Sequence, residues 1–412
     1  MNRKQILLLV GLGVILGGLG FHLASSRRAA FDTGRDIREG QKLLGDFPVN
    51  DVARVVIRAR DGEVTLVRSN SLWTVQERAG YPAAFTQLAD LLRKLWDLRA
   101  VQSQQVGQSQ WGRLDLLTPV KDGPTNAATL VELRGPDDRP IRSLLLGKKQ
   151  MRDSGGQFGG FPVGRWLALP ERTDTVFVTS ETFSEVEPKP ENWLNKDFFR
   201  IERLTGLSLV STNGQTAWQL TRENESADWQ LAGPQSGEEL DRSKVSGFNW
   251  AFSSPSFTDV WPKDADAVKE AFAAPAIVRL QTADKFRYEV KLGAQPDPDS
   301  YYVTVAVTAD LPAGRTAPAD ELPEVKEAAD KAWQEAQEKL HAKLKQEQAL
   351  AAWVYQVPKW TVDSVLKDRA ALLADAPAPA ATGLGADDGE DDGDSPLVIP
   401  PELLPPLAPP DP

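Results

Sequence analysis

Apolar and polar residues alternate from Val52 onward. Val55, Ile57 and Ala59 share one face, Asp61-Gly62 follows, and Val64, Leu66 and Arg68 resume the alternation. A period of two belongs to a half-buried strand, and an Asp-Gly pair supplies the positive φ of a tight turn, so the pattern predicts a hairpin. Leu72-Trp73-Thr74-Val75 reads as a third short strand. The period then changes: Phe85, Leu88, Leu91, Leu92, Leu95 and Leu98 recur at three- and four-residue steps, with Asp90, Arg93, Lys94 and Asp97 opposite. That spacing predicts a helix whose apolar stripe packs on the strands.

The same order of elements returns in the second half. Leu207 to Gly214 aligns with Val55 to Gly62, Trp229 stands where Trp73 stood, and Val245, Phe248 and Phe252 repeat the spacing of Leu88, Leu91 and Leu95. Thr129 to Leu133 matches Ala276 to Leu280, each after a proline (Pro119, Pro275), and Leu146-Gly147 matches Leu292-Gly293. Each half closes with a strand and a short helical pattern, Val176 to Val186 and Val354 to Val365. So many elements in one order predict an internal duplication. The expected fold is α+β: two tandem repeats of a β-rich module, each with a packed helix, after one N-terminal transmembrane helix. Its parts are an anchor (1–28), a linker (29–50), a first repeat (51–196), a second repeat (197–373) and a disordered tail (374–412).

The halves differ before the closing strand. The first has a short connection, Leu167 to Asp174, and the second a helical stretch near 324–352 with the stripe Ala329, Trp333, Ala336, Leu340 and Leu344 among Lys, Glu and Gln. The stripe fits a helix lying on its own module, or an arm that docks on a partner through Trp333, Leu340 and Leu344. From Ala374 the chain turns to Ala, Pro, Gly and Asp, too polar to bury a core, and its acidic run 387–394 lacks the ligand spacing of a calcium loop.

At the other end, Ile6 to Ala24 is a run of nineteen residues without a formal charge, behind Arg3 and Lys4. A helix of that length just crosses a bilayer. Ala24, Ser25 and Ser26 also fit a cleaved signal peptide, although the run is longer than a usual signal core. Arg27, Arg28, Arg35 and Arg38 after the run point its carboxyl end inward by the positive-inside rule, whereas the export-signal pattern sends the body outward; an extracytoplasmic body is expected.

Composition narrows the chemistry. A net charge of -11 disfavours nucleic acid, and the lack of cysteine excludes disulfides, thiolate metal sites and cysteine nucleophiles. The two histidines, His22 in the apolar run and His341 on the polar helix, do not suit a triad or a zinc site. Gly155 to Gly160 reads as a hairpin loop, not a phosphate cradle. Asp and Glu number 58, so a carboxylate pair across a cleft stays open, though no pair is marked by an apolar setting. No catalytic, cofactor or metal residue is assigned. Of twelve tryptophans, Trp73, Trp229, Trp96, Trp250 and Trp333 fall in patterns that call for burial, whereas Trp111, Trp193 and Trp261 lie in loop-like polar surroundings and are the candidate exposed aromatics.

The anchor, the hairpin with its LWTV strand and helix, the segments TVFVTSETFSEV and ENWLNKDFFRI, and the second copy together resemble the domain of unknown function 4340 family over roughly residues 50 to 370. The resemblance implies a bacterial envelope protein, often encoded beside subunits of gliding-type ABC exporters, and transfers no functional residue. The expected role is a noncatalytic accessory or scaffold protein, held in the inner membrane by Ile6 to Ala24 with a periplasmic body, and bound to envelope proteins such as exporter subunits. The alternative is a glycan- or peptidoglycan-binding module.

Overall fold

The alternating runs form strands, and the strands form two wholly antiparallel sheets. A computed structural model describes residues 40–152, 160–318 and 321–375. The chain divides into two units, Met1–Leu373 and Ala374–Pro412, and the elements described here lie in the first. The first sheet contains β1 (Arg54–Arg58), β2 (Glu63–Ser69), β3 (Leu72–Val75), β4 (Tyr81–Pro82), β5 (Gln102–Gln105), β6 (Thr129–Arg134), β7 (Pro140–Arg152), β8 (Phe161–Ala168) and β9 (Thr175–Thr179). Their spatial order is β4-β3-β2-β1-β6-β7-β8-β9-β5. The second contains β10 (Leu204–Val210), β11 (Thr216–Thr221), β12 (Gln230–Leu231), β13 (Asp259–Pro262), β14 (Ala276–Thr282), β15 (Phe286–Leu292), β16 (Ser300–Ala309) and β17 (Trp353–Pro358), in the order β12-β11-β10-β14-β15-β16-β17-β13.

Register follows the apolar positions. Val55 faces Leu66 and Leu133 across its two neighbours, and Leu207 faces Leu220 and Leu280. All six are buried, and with a side-chain period of two a one-residue slip would turn each row toward solvent. Helix α1 (Phe85–Trp96) buries Leu88, Leu91, Leu92 and Leu95, with Leu98 buried just beyond its end. Phe85, at the first helical position, is exposed. In the second half, α2 (Arg242–Val245) is capped by the Asp241 carboxylate, which accepts from Ser243 N at 2.8 Å, and it continues only as the 3-10 turn Ser246–Trp250. Val245, Phe248 and Phe252 nevertheless all reach the core. Two further helices are α3 (Asp266–Lys269) and α4 (Pro323–Ala349).

Two corrections concern the ends of the halves. No helix follows β9, where Ser184 and Glu185 form a turn; after β17 the chain makes only two 3-10 turns, Lys359–Thr361 and Arg369–Leu372. Among the described residues no helix is long and apolar enough to cross a membrane. The predicted anchor, His22, the loop glycines 155–159 and the acidic run lie outside the described residues.

One apolar core runs through both sheets, from Leu43 to Leu372. A second cluster, Trp111, Leu116, Ala128, Leu130, Leu145, Ala168 and Val176, covers the opposite face of the first sheet. That double cover explains why every residue of β9 is buried. Gly147 and Gly293 make such crossings fit: a Cβ on Gly147 would stand 2.4 Å from the Leu114 carbonyl oxygen, and one on Gly293 2.7 Å from that of Ala271.

Candidate functional site

The edges of the sheets meet at a seam that gathers aromatic and charged side chains. Tyr81 on β4 packs edge-on to Trp353 at 5.1 Å and to Phe257 at 6.0 Å, and Phe198 lies 4.7 Å from Tyr355. Burial pushes the Tyr81 phenol up to about 12. Beside the rings, the Arg78 guanidinium donates to both carboxylate oxygens of Asp259, at 2.6 and 2.7 Å, and to Glu191 at 3.4 Å.

Along this seam runs an open groove of about 640 Å³, lined by Glu185, Glu187, Glu191, Asn192, Lys196 and Phe257 among others. Its charges are engaged. Lys94 donates to Glu185, Asn192 Nδ2 donates to Glu187 at 2.7 Å, and Lys196 Nζ donates to the Thr258 carbonyl at 2.9 Å and sits over the Phe257 ring. Burial opposes the charge on Glu185, but the Lys94 hydrogen bond and charge outweigh it and hold the carboxyl below its usual range. Burial also lowers Lys196. A glycosidase acid needs a carboxyl held protonated, and Glu185 is shifted the other way.

The carboxylate that burial pushes up is elsewhere. Glu347, 5% exposed on α4, accepts from the Tyr288 hydroxyl at 2.8 Å and from Arg200 N at 3.1 Å. These bonds, with Lys343 Nζ 3.9 Å away, tie the helix to its own sheet. Among the described residues no group of three or more His, Asp or Glu is arranged to hold a metal ion.

A second concavity, about 520 Å³, opens on the outer face of the second sheet. Ser208, Gln219, Arg279, Gln281, Arg287 and Glu289 line it, across β11, β10, β14 and β15. Gly206 and Ala306 keep its floor low.

The residues singled out from the sequence are placed differently from expectation. Trp111 and Trp193 are 1% and 0% exposed, so neither is a surface platform. Trp111 closes the second core cluster and donates to the Val106 carbonyl at 3.2 Å; Trp193 donates to that of Glu187 at 2.9 Å. A short 3-10 turn buries each ring, which polar neighbours in sequence conceal. Trp261 is half-buried, edge-on to Tyr302 at 5.4 Å. Leu340 and Leu344 are half-buried and pack against the chain's own core, and Trp333 is half-buried. Conversely, Trp250 is 76% exposed although its pattern called for burial, because Phe248 takes the inward position of its turn. Trp96, one step of about 100° past Leu95 and off the stripe, is 40% exposed beneath Lys42 Nζ. Trp360, 66% exposed after β17, carries no periodic signal in the sequence.

Comparison with known proteins adds a family. No curated protein and no solved structure matches the chain. A family model described as domain of unknown function (DUF4340) matches residues 73–275, from Trp73 on β3 to the residue before β14, a narrower span than the resemblance first read from the sequence. Over residues 73–275 the chain is similar to the DUF4340 family.

Proposed function

We propose that this chain is a noncatalytic, membrane-tethered accessory or scaffold protein of a bacterial envelope complex, an ABC exporter assembly in particular. Ile6 to Ala24 would hold it in the inner membrane, with the body on the periplasmic side. The observation that carries the reading is the outer face of the second sheet. Among the described residues, the second apolar cluster covers the outer face of β6–β9 in the first sheet, whereas on the outer face of the second sheet Gln219, Arg279, Gln281 and Arg287 stand exposed and Glu289 half-buried. A surface carrying both signs of charge can be matched by a protein partner of complementary charge.

We also read the body as two copies of one module, 51–196 and 197–373. In support, dropping β4 leaves two identical paths through the sheets, and the rows Ile57-Val64-Val131 and Leu209-Trp218-Val278 occupy equivalent places in them. Trp73 and Trp229 stand equivalently as well, two residues before Val75 and Leu231, which face Leu66 and Leu220.

A second reading, glycan binding, is favoured by one observation. By alternation along β16, Tyr302 shares the outer face with Ala306 and Thr308, and Trp261 leans on its ring. Affinity purification of the full chain from detergent-solubilised membranes, beside a pull-down on cell-wall material, separates the two. Stoichiometric recovery of exporter subunits without cell-wall retention supports the scaffold. Retention on cell wall that Trp261→Ala abolishes, with no co-purifying membrane protein, overturns it.

A further inference from the structure

The β7–β8 hairpin is longer than the sheet that holds it. β6 accompanies β7 only as far as Leu146, and β9 accompanies β8 only from Arg165, so Lys148–Arg152 and Phe161–Gly164 extend past both neighbours as a two-stranded arm. At a strand rise of about 3.3 Å per residue, the arm reaches about 15 Å beyond the sheet. Its base is locked: the buried Arg165 guanidinium donates to the carbonyls of Gly147 at 2.8 Å and Phe183 at 3.0 Å. Register shifts between Leu146 and Lys149, and between Gln150 and Met151, mark irregularities of the kind that bend a strand and increase its local twist.

The arm is locally basic on an acidic chain. Lys148, Lys149 and Arg152 are exposed cations, and Asp153, next in sequence, leaves a local excess of two positive charges on a protein of net charge -11. Met151 and Phe161 are also exposed, at 58% and 52%. Exposed cations beside exposed apolar side chains match an anionic lipid surface, where phosphates meet acyl chains.

The entry of the chain into the fold points to the same surface. Gly40, the first described residue, donates to the Ala100 carbonyl at 2.8 Å, Val101 N donates to that of Val178 at 2.8 Å, and Thr179 faces Arg165 at the base of the arm. The N-terminal segment therefore joins the sheet at the end from which the arm projects. Residues 25–39 separate Gly40 from the apolar run and span at most about 50 Å.

We propose that the β7–β8 arm docks on the anionic surface of the bilayer that holds the N-terminal run, through Lys148, Lys149 and Arg152 with Met151 and Phe161 entering the headgroup layer. From the proposed function this takes only retention of that run in a membrane. The chain lacks cysteine, so Met151→Cys, Phe161→Cys or, as a control, Trp250→Cys each carries one fluorophore on the full chain. The labelled chains are reconstituted in phosphatidylcholine vesicles with and without phosphatidylglycerol, all containing brominated lipid. Flotation with pure phosphatidylcholine reports the N-terminal run alone, and bromine quenching reports the arm. The expected result is quenching at 151 and 161, but not at 250, when phosphatidylglycerol is present. Lys148→Gln, Lys149→Gln and Arg152→Gln should each lower the docked-to-free ratio about fivefold. Labels at 151 and 161 no more quenched than the control in floated protein would overturn the proposal. So would quenching indifferent to the neutralised cations, or shielding that appears only when native membrane proteins are added.

Discussion

Arg78 and Asp259 form a two-pronged ion pair, 2.6 and 2.7 Å, between the turn that leads into β4 and the edge strand β13. It joins residues 181 positions apart and stands beside the Tyr81 aromatic cluster. Exposed pairs contribute about 0–1 kcal/mol, whereas removing one member of a buried pair costs about 3–5 kcal/mol. This pair is partly buried, so Asp259→Ala is expected to cost about 2 kcal/mol in urea unfolding. A double-mutant cycle with Arg78→Ala should return a coupling of similar sign; additive losses would show that the pair does not join the halves.

Glu347 predicts a pH dependence. Burial, opposed by the bonds from Arg200 and Tyr288, raises its pKa in the folded chain above that in the unfolded chain. The folded state then holds the proton more tightly, so the group's stabilising contribution is full below the unfolded pKa and is lost as pH rises through the folded one. Glu347→Gln keeps an acceptor for Tyr288 without the buried charge. Its Tm should exceed that of the parent at neutral pH and converge with it in acid. Glu347→Ala, which strands two donors, should lower stability by about 1–3 kcal/mol.

Gly147 and Gly293 each lie under a backbone carbonyl, which cannot move as a flexible side chain would. Gly147→Ala and Gly293→Ala should each destabilise by about 1–3 kcal/mol, read from the shift in urea midpoint. An unchanged midpoint would show that the crossing segments are not fixed against the sheets.

Tryptophan substitutions separate core from surface. Trp111→Ala and Trp193→Ala should each cost about 3–5 kcal/mol, whereas Trp250→Ala and Trp360→Ala should stay within about 0.5 kcal/mol. Thermal denaturation of the four variants decides whether the reversed placement of these rings is right.

The sequence made visible those elements whose period is uninterrupted. β1, β2, helix α1 and the two Leu-Gly pairs were legible because alternation and helical spacing are uninterrupted there. Asp61-Gly62 does join β1 to β2, but without the positive φ expected of it: glycine is required because a Cβ at 62 would stand 2.6 Å from the Pro188 carbonyl oxygen. The edge strands β5 and β13 were not: Gln102–Gln105 has no apolar face, and Asp259–Pro262 has too few residues to show a period. Trp111 was misread because its ring covers the outer face of a sheet, a contact that leaves no local pattern. A signal did exist in Thr175–Thr179, where apolar residues on both parities imply cover on both faces. The candidate surface on the second sheet was illegible for a related reason. It draws single residues from several strands, and nothing in the spacing of Ser208, Gln219, Arg279 and Glu289 brings them together until the sheet forms.

Photo-cross-linking in cells, with the reactive residue placed at Gln219 or Arg279 on the open face of the second sheet and at exposed Lys121 on the first half, tests the central claim most directly. The account predicts specific adducts between the 219 and 279 positions and the membrane or ATPase subunits of one exporter, with none from 121. Adducts confined to abundant, unrelated proteins, or equal from all three positions, would contradict it.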